Sequence, residues 1–151
     1  KRFIYSFIFL LGMNGIDKLS ETSEESGKQD EGKLEGSKWK REAILEKTGR
    51  EYFSAGEDEL KKERYNSSVV LFFKALTSFS DLYLLKNIGK SPSSHADRFR
   101  LTKERFPEVY EILDKDFPFY QESYNAILSR ELAEKMKNDA ETVARKAKIE
   151  I

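Results

Sequence analysis

The sequence predicts an all-α protein, an up-and-down bundle of four to five helices, and three observations carry that prediction. Beyond about residue 37, apolar residues recur at three- and four-residue steps through most of the chain. No stretch shows the strict alternation or the Gly-Asn turns that mark β-hairpins. Charged residues make up 36% against 38% hydrophobic, a balance that gives each helix a solvated outer face and an apolar inner one. A length of 151 residues suits one domain with a tail. The chain divides into a short apolar segment over residues 1–13, a flexible acidic linker over 14–36 and the bundle over 37–151.

Residues 1–12, KRFIYSFIFLLG, place two cations before an apolar run from Phe3 to Leu11. The pattern is that of a secretory signal's charged and hydrophobic regions, but no small-x-small cleavage site follows. Met13 also stands where a start codon would lie if the preceding residues are an over-read. A third reading is a short helix packed on the bundle or on a second subunit, and the three stay open. The run is too short to span a bilayer, so no membrane contact through residues 1–12 is expected. From Asn14 to Gly36, seven acidic side chains face three lysines among four glycines, with Ile16, Leu19 and Leu34 as the sizeable apolar groups. Such a stretch buries too little to offset its ordering entropy.

A first helix is expected from Ser37, a capping residue type, to about Lys62. Trp39, Ala43, Tyr52, Phe53 and Leu60 give it a loose apolar face, and Gly49 and Gly56 predict a bend or break. The second helix is the clearest, with Tyr65, Val69, Phe72, Phe73, Leu76, Phe79, Tyr83 and Leu84 on its stripe and Gly89 at its end. After the turn Lys90-Ser91-Pro92-Ser93, Ser94 and Asp97 make a capping box for a third helix. Phe99, Phe106, Val109, Tyr110 and Leu113 would form its buried side, with Pro107 dividing it. Pro118 is expected to end that segment. A fourth helix then carries Tyr120, Tyr124, Ile127, Leu128, Leu132, Met136, Ala140, Val143 and Ala147. Its cations alternate with Glu131, Glu134, Asp139 and Glu141, the mark of a solvated, ion-paired face.

Several function classes lose their parts. The 27 basic and 27 acidic residues cancel, so no global field draws the protein to nucleic acid, and no DNA partner is expected. With no cysteine, disulfides and thiolate metal sites are excluded, which fits a reducing cytoplasm. One histidine, His95, cannot furnish a His-rich zinc site or the two Glu-x-x-His pairs of a di-iron bundle. Phosphate-loop, nucleophile-elbow, metalloprotease and EF-hand signatures are absent, so no catalytic residue, cofactor or metal is expected.

Two groups of polar residues remain as candidate binding positions. Lys74, Ser78 and Asp81 fall at one-turn steps on the second helix. They line either a ligand groove or subunit interface, or, more plainly, a solvent-facing edge. The breadth of that helix's apolar surface predicts that its far side is covered, by the first helix or by a second copy. His95 falls in the first turn of the third helix, where its plain role is to bond a backbone group or Asp97. With Arg98 and Arg105 on the same face and Lys86 and Lys90 just before, it also belongs to a local basic patch suited to phosphate. The seven tyrosines could stack on bases, but nearly all fall on core stripes.

The run from Arg64 to His95, RYNSSVVLFFKALTSFSDLYLLKNIGKSPSSH, resembles the HEPN (higher eukaryotes and prokaryotes nucleotide-binding) domain family. Tyr65, Asn66, Val69, Phe72, Phe73, Ala75, Leu76, Leu84, Leu85, Gly89, Ser94 and His95 are similar to that family's pattern in order and spacing. Phe106, Tyr120, Tyr124 and the segment from Glu131 to Ala144 are similar to its last helix, so the resemblance spans roughly residues 45–148. Ribonuclease members carry an arginine followed after four to six residues by histidine. Here the residues before His95 are serine, proline, lysine and glycine. The resemblance therefore implies a non-catalytic branch: a homodimeric module that binds a nucleotide, an RNA or a nucleotidyltransferase partner. Lys74, Asp81, Lys90, His95 and Arg98 would be its contacts. An atypical ribonuclease using His95 with Arg98 in reversed order, and a structural adaptor between proteins, are the rival expectations.

Overall fold

The protein is described by a computed structural model over residues 27–151, with side chains from Glu35 onward. The apolar segment 1–13 and the first part of the linker lie outside the described residues. Five helices follow in order: α1 (Gly27–Lys61), α2 (Tyr65–Ile88), α3 (His95–Arg105), α4 (Pro107–Glu122) and α5 (Arg130–Lys146). No strand occurs among the described residues, and the all-α bundle read from the periodicity is what forms.

α2 is the central helix. Phe72, Phe73, Leu76, Phe79 and Leu82 on it are fully buried, each contributing about 1.5–3 kcal/mol through removal from water. Gly49 of α1 packs on Phe79 and Gly56 on Phe72, so a step of seven forward on α1 matches a step of seven back on α2. The two helices are antiparallel. Tyr120 of α4 stacks on Phe73 and Phe106 meets Tyr83, which makes α4 antiparallel to α2 as well. α5 starts beside the start of α2, at Arg130 and Tyr65. It finishes beside its end, where Lys86 Nζ donates to the Ala147 carbonyl. Four long helices thus alternate in direction, and short α3 fills the α2–α4 connection.

α1 and α5 both pack along α2, so its wide apolar circumference is covered from within the chain. Ser68 and Ser80, fully buried on the same helix, donate their hydroxyls to the carbonyls of Gly56 and Leu76. α2 is long and apolar enough to cross a membrane, but 72% of its most apolar window is buried in the bundle.

Local signals account for several helix ends. Gly89 takes the left-handed conformation at φ 67° and its N–H closes on the Leu85 carbonyl at 3.0 Å. Ser94, in extended backbone, caps α3 by accepting from the Asp97 N–H, and Pro107 opens α4 in its first turn. Other expectations are corrected. α1 begins at Gly27, ten residues before Ser37, taking in residues 27–36 that composition assigned to a linker. Lys, Gln and Glu are good helix formers, and a helix already packed downstream extends at one hydrogen bond per residue without a new nucleus. α1 also runs unbroken through Gly49 and Gly56, whose missing side chains are contact surface for α2. Pro118 does not end α4, which continues to Glu122. The proline is exposed, so water can reach the carbonyl it leaves without a partner. Tyr120 therefore belongs to α4, while Tyr124, Ile127 and Leu128 lie in the α4–α5 connection.

Candidate functional site

The site begins with Asp81, which α2 presents on the side left to α3, only 4% exposed. A carboxylate this deep needs a partner and full hydrogen bonding to stay ionised. Arg98, in the second turn of α3, supplies both with its planar fork. Its Nε donates to Oδ1 at 2.6 Å and Nη2 to Oδ2 at 2.7 Å, a paired geometry that suits guanidinium and carboxylate. The strip of Lys74, Ser78 and Asp81 is thus not a solvent-facing edge. Ser78 and Asp81 are buried, and Asp81 anchors the next helix.

His95 lies one turn before Arg98, and its Nδ1 is 3.0 Å from Arg98 Nη1. A guanidinium only donates, so Nδ1 accepts and the ring proton sits on Nε2. Burial of the ring's inner edge, then the positive charge of Arg98, hold the imidazole below the ordinary histidine pKa, with Asp81 pulling the other way. Phe117 of α4 backs the ring at 6.2 Å and continues through Tyr120 to Phe73. His95 bonds neither Asp97 nor a backbone group. Asp97 instead accepts from Ser93 and from Arg100 Nη2.

The structure therefore brings three of the five candidate residues, Asp81, Arg98 and His95, into one charge-balanced cluster. At its surface the imidazole carries a proton on Nε2, so in this form it serves as a hydrogen-bond donor, not as a base. Lys74 goes elsewhere, its ammonium lying over the Tyr52 ring of α1 at 5.5 Å. Lys90 is exposed on the α2–α3 turn. The basic patch around His95 is reduced, because Lys86 is spent on the end of α5 and Arg98 on Asp81. Cations gather instead on the α1 side of the same turn. There a hollow of about 430 Å³ is lined by Lys38, Arg41, Gly89 and Ser91 together with Glu35, Ser37 and Leu85, and Arg41 Nε donates to Ser91 Oγ. Lys90 falls between two of those lining residues.

Two further arrangements escaped sequence reasoning. Asn66, in the first turn of α2, ties down the α4–α5 connection from a distance. Its Nδ2 donates to the Ser123 and Ala126 carbonyls at 2.8 and 2.6 Å, and its Oδ1 accepts from Leu128 N–H at 2.9 Å. The loop so held points Ile127 fully outward, 98% exposed. Asp116 of α4 is fully buried and neither of its oxygens has a hydrogen-bond partner. Burial, and then the neighbouring Asp139, raise its pKa to about 7. In the sequence Asn66 stood out only as a position of the family-like pattern, with no sign of a tether, and nothing local marked Asp116.

Among the described residues no three His, Asp or Glu side chains gather as a metal site. No protein-family model and no curated protein sequence matches this chain.

Proposed function

We propose that this chain is a non-catalytic, HEPN-like helical module that binds a phosphate-bearing ligand, a nucleotide or an RNA, at the turn joining α2 to α3. The observation that carries the reading is the hollow at that turn. It is open to solvent, and Lys38 and Arg41 set two cations on its lining against Glu35, with Lys90 standing in the chain between the lining residues Gly89 and Ser91. The anchored α3 supports it from the other side, because Asp81 and Arg98 fix where the turn ends. His95, the first residue of α3, offers a hydrogen-bond donor just past the end of the turn.

Ribonuclease chemistry is no part of this reading. Arg98 is committed to Asp81, and His95 accepts from Arg98 at the nitrogen a base would use or relay through. Homodimer formation and a nucleotidyltransferase partner accompany the resemblance, a cytoplasmic location follows the lack of cysteine, and all three belong to the same proposal. With α2 enclosed by α1 and α5, a twofold contact would use the outer faces of the bundle.

The test is calorimetric titration of the full chain with ATP and, separately, with a short single-stranded RNA, in low and moderate salt. Binding should weaken with salt and fall at least about tenfold in the Arg41→Glu, Lys90→Glu double variant, where each reversal costs a phosphate contact. Equal affinity in the wild type and the variant would sink the assignment.

A further inference from the structure

Where α4 meets α5, three charged side chains share a space with too little solvent for all of them. Asp116 is fully buried, Asp139 keeps 17% side-chain exposure, and Lys115 reaches between the two. The Lys115 ammonium lies 2.8 Å from Asp139 Oδ2 and 3.8 Å from Asp116 Oδ1. It pairs with Asp139 and only brushes Asp116.

We propose that Asp116 and Asp139 hold one proton in common and act as a pH-sensitive clasp between α4 and α5. Among the described residues Lys115 is the one ammonium in ion-pair contact with the two carboxylates, while Lys135 acts from farther off with its ammonium over the Phe119 ring. A charged Asp116 at zero exposure therefore lacks a close partner of its own, which is strongly unfavourable. One proton removes that charge and turns the bare Asp116 oxygen pair into a donor as well as an acceptor, so that the carboxyl can bond its neighbour. Two like-charged acids in contact commonly settle in this way, with one pKa pushed up.

The surroundings offer no other escape. Lys115 on α4 and Lys135 on α5 are the cations acting on Asp116, and Asp139 is the anion. α2 meets this stretch of α4 with the Phe73 ring, through Phe117 and Tyr120. α3 presents His95 and Phe99 to Phe117, with Arg98 already bound to Asp81. The direction of the Asp116 pKa, upward to about 7 with burial as its first cause, agrees with the geometry.

The sign of the pH effect follows from proton counting. With a folded pKa above its unfolded value of 3.8, the folded protein binds more protons than the unfolded chain between roughly pH 4 and 7. Stability contributed by the clasp is complete below that window, is lost as pH rises through it, and is gone above pH 7. One proton corresponds to a folding constant that falls up to about tenfold per pH unit. Above neutrality α5 is therefore held to α4 less tightly.

Two measurements on the full chain test the clasp. Side-chain carboxyl carbon shifts followed by NMR should show Asp116 titrating near 7, and a midpoint in the ordinary range near 3.9 would overturn the proposal. Denaturant unfolding from pH 5 to 8 should show the Asp116→Asn variant losing the wild type's downward slope, because a neutral amide needs no proton. A slope unchanged in the variant would equally overturn it. The NMR titration uses the wild type alone, so the question stays decidable even if the variant folds poorly.

Discussion

Gly49 of α1 lies so close to Phe79 of α2 that a β-carbon added there would sit 2.5 Å from the ring's Cε1. Gly56 repeats the contact one heptad later, with Phe72 at 2.8 Å. Both rings are fully buried and have nowhere to retreat. Gly49→Ala should therefore destabilise the protein by about 1–3 kcal/mol through overpacking, despite the roughly 1 kcal/mol that alanine gains over glycine in a helix. Gly36, in the same helix with nothing within 4 Å of its would-be β-carbon, is the control. Gly36→Ala should be neutral or mildly stabilising. Urea unfolding of the two variants decides it, and equal effects would contradict the close-contact account.

The Asp81–Arg98 pair should behave as a buried ion pair. Removing one partner in Arg98→Ala leaves the other charge uncompensated at 4% exposure, a loss of about 3–5 kcal/mol. Replacing both, Asp81→Leu with Arg98→Met, should recover most of it, because a well-packed apolar pair avoids the desolvation cost. The readout is the coupling energy of the double-mutant cycle. Simple additivity would mean that the two side chains do not depend on each other.

For His95, nitrogen NMR should find the proton on Nε2 and a titration midpoint below the ordinary value of 6.5. The folded state then binds fewer protons than the unfolded chain just below that value, so the His95 contribution is present above pH 6.5 and is lost as pH falls through the folded pKa. This runs opposite to the Asp116 effect. Finding the proton on Nδ1 would contradict the hydrogen bond from Arg98.

Asn66→Ala should release the α4–α5 connection. Three hydrogen bonds depend on that side chain, and stranding part-buried carbonyl and amide groups costs about 1–3 kcal/mol. The Leu128 amide, bonded to Asn66 Oδ1, should lose its protection from hydrogen exchange. Unchanged protection there would show that the loop holds itself.

What could be read from the sequence was whatever the chain decides within a few residues. The limits of α2, the left-handed Gly89 and the Ser94 cap each depend on neighbours three or four positions away. The glycines of α1 were misread because their meaning lies in Phe72 and Phe79, on another helix. Pro118 was misread because its effect depends on which side of α4 faces water. His95 and Arg98 were legible as one helical face, but the partner that turns Arg98 from a free cation into an anchor lies 17 residues away. Asp116 and Asp139 are farther apart still and show nothing but composition until α4 and α5 are laid together.

The Asn66 tether also says how this bundle comes apart. It joins positions about sixty residues distant in the chain, and Lys86 joins α2 to the far end of α5 over a similar span. α5 is therefore fastened to α2 at both of its ends, while its only chain connection within the bundle runs through α4. An opening that frees α5 must break both fastenings, and freeing the loop at its start loosens the last turn of α4 with it. Local opening of α5 is thereby coupled to the α4–α5 connection at its start and to the last turn of α2 at its end.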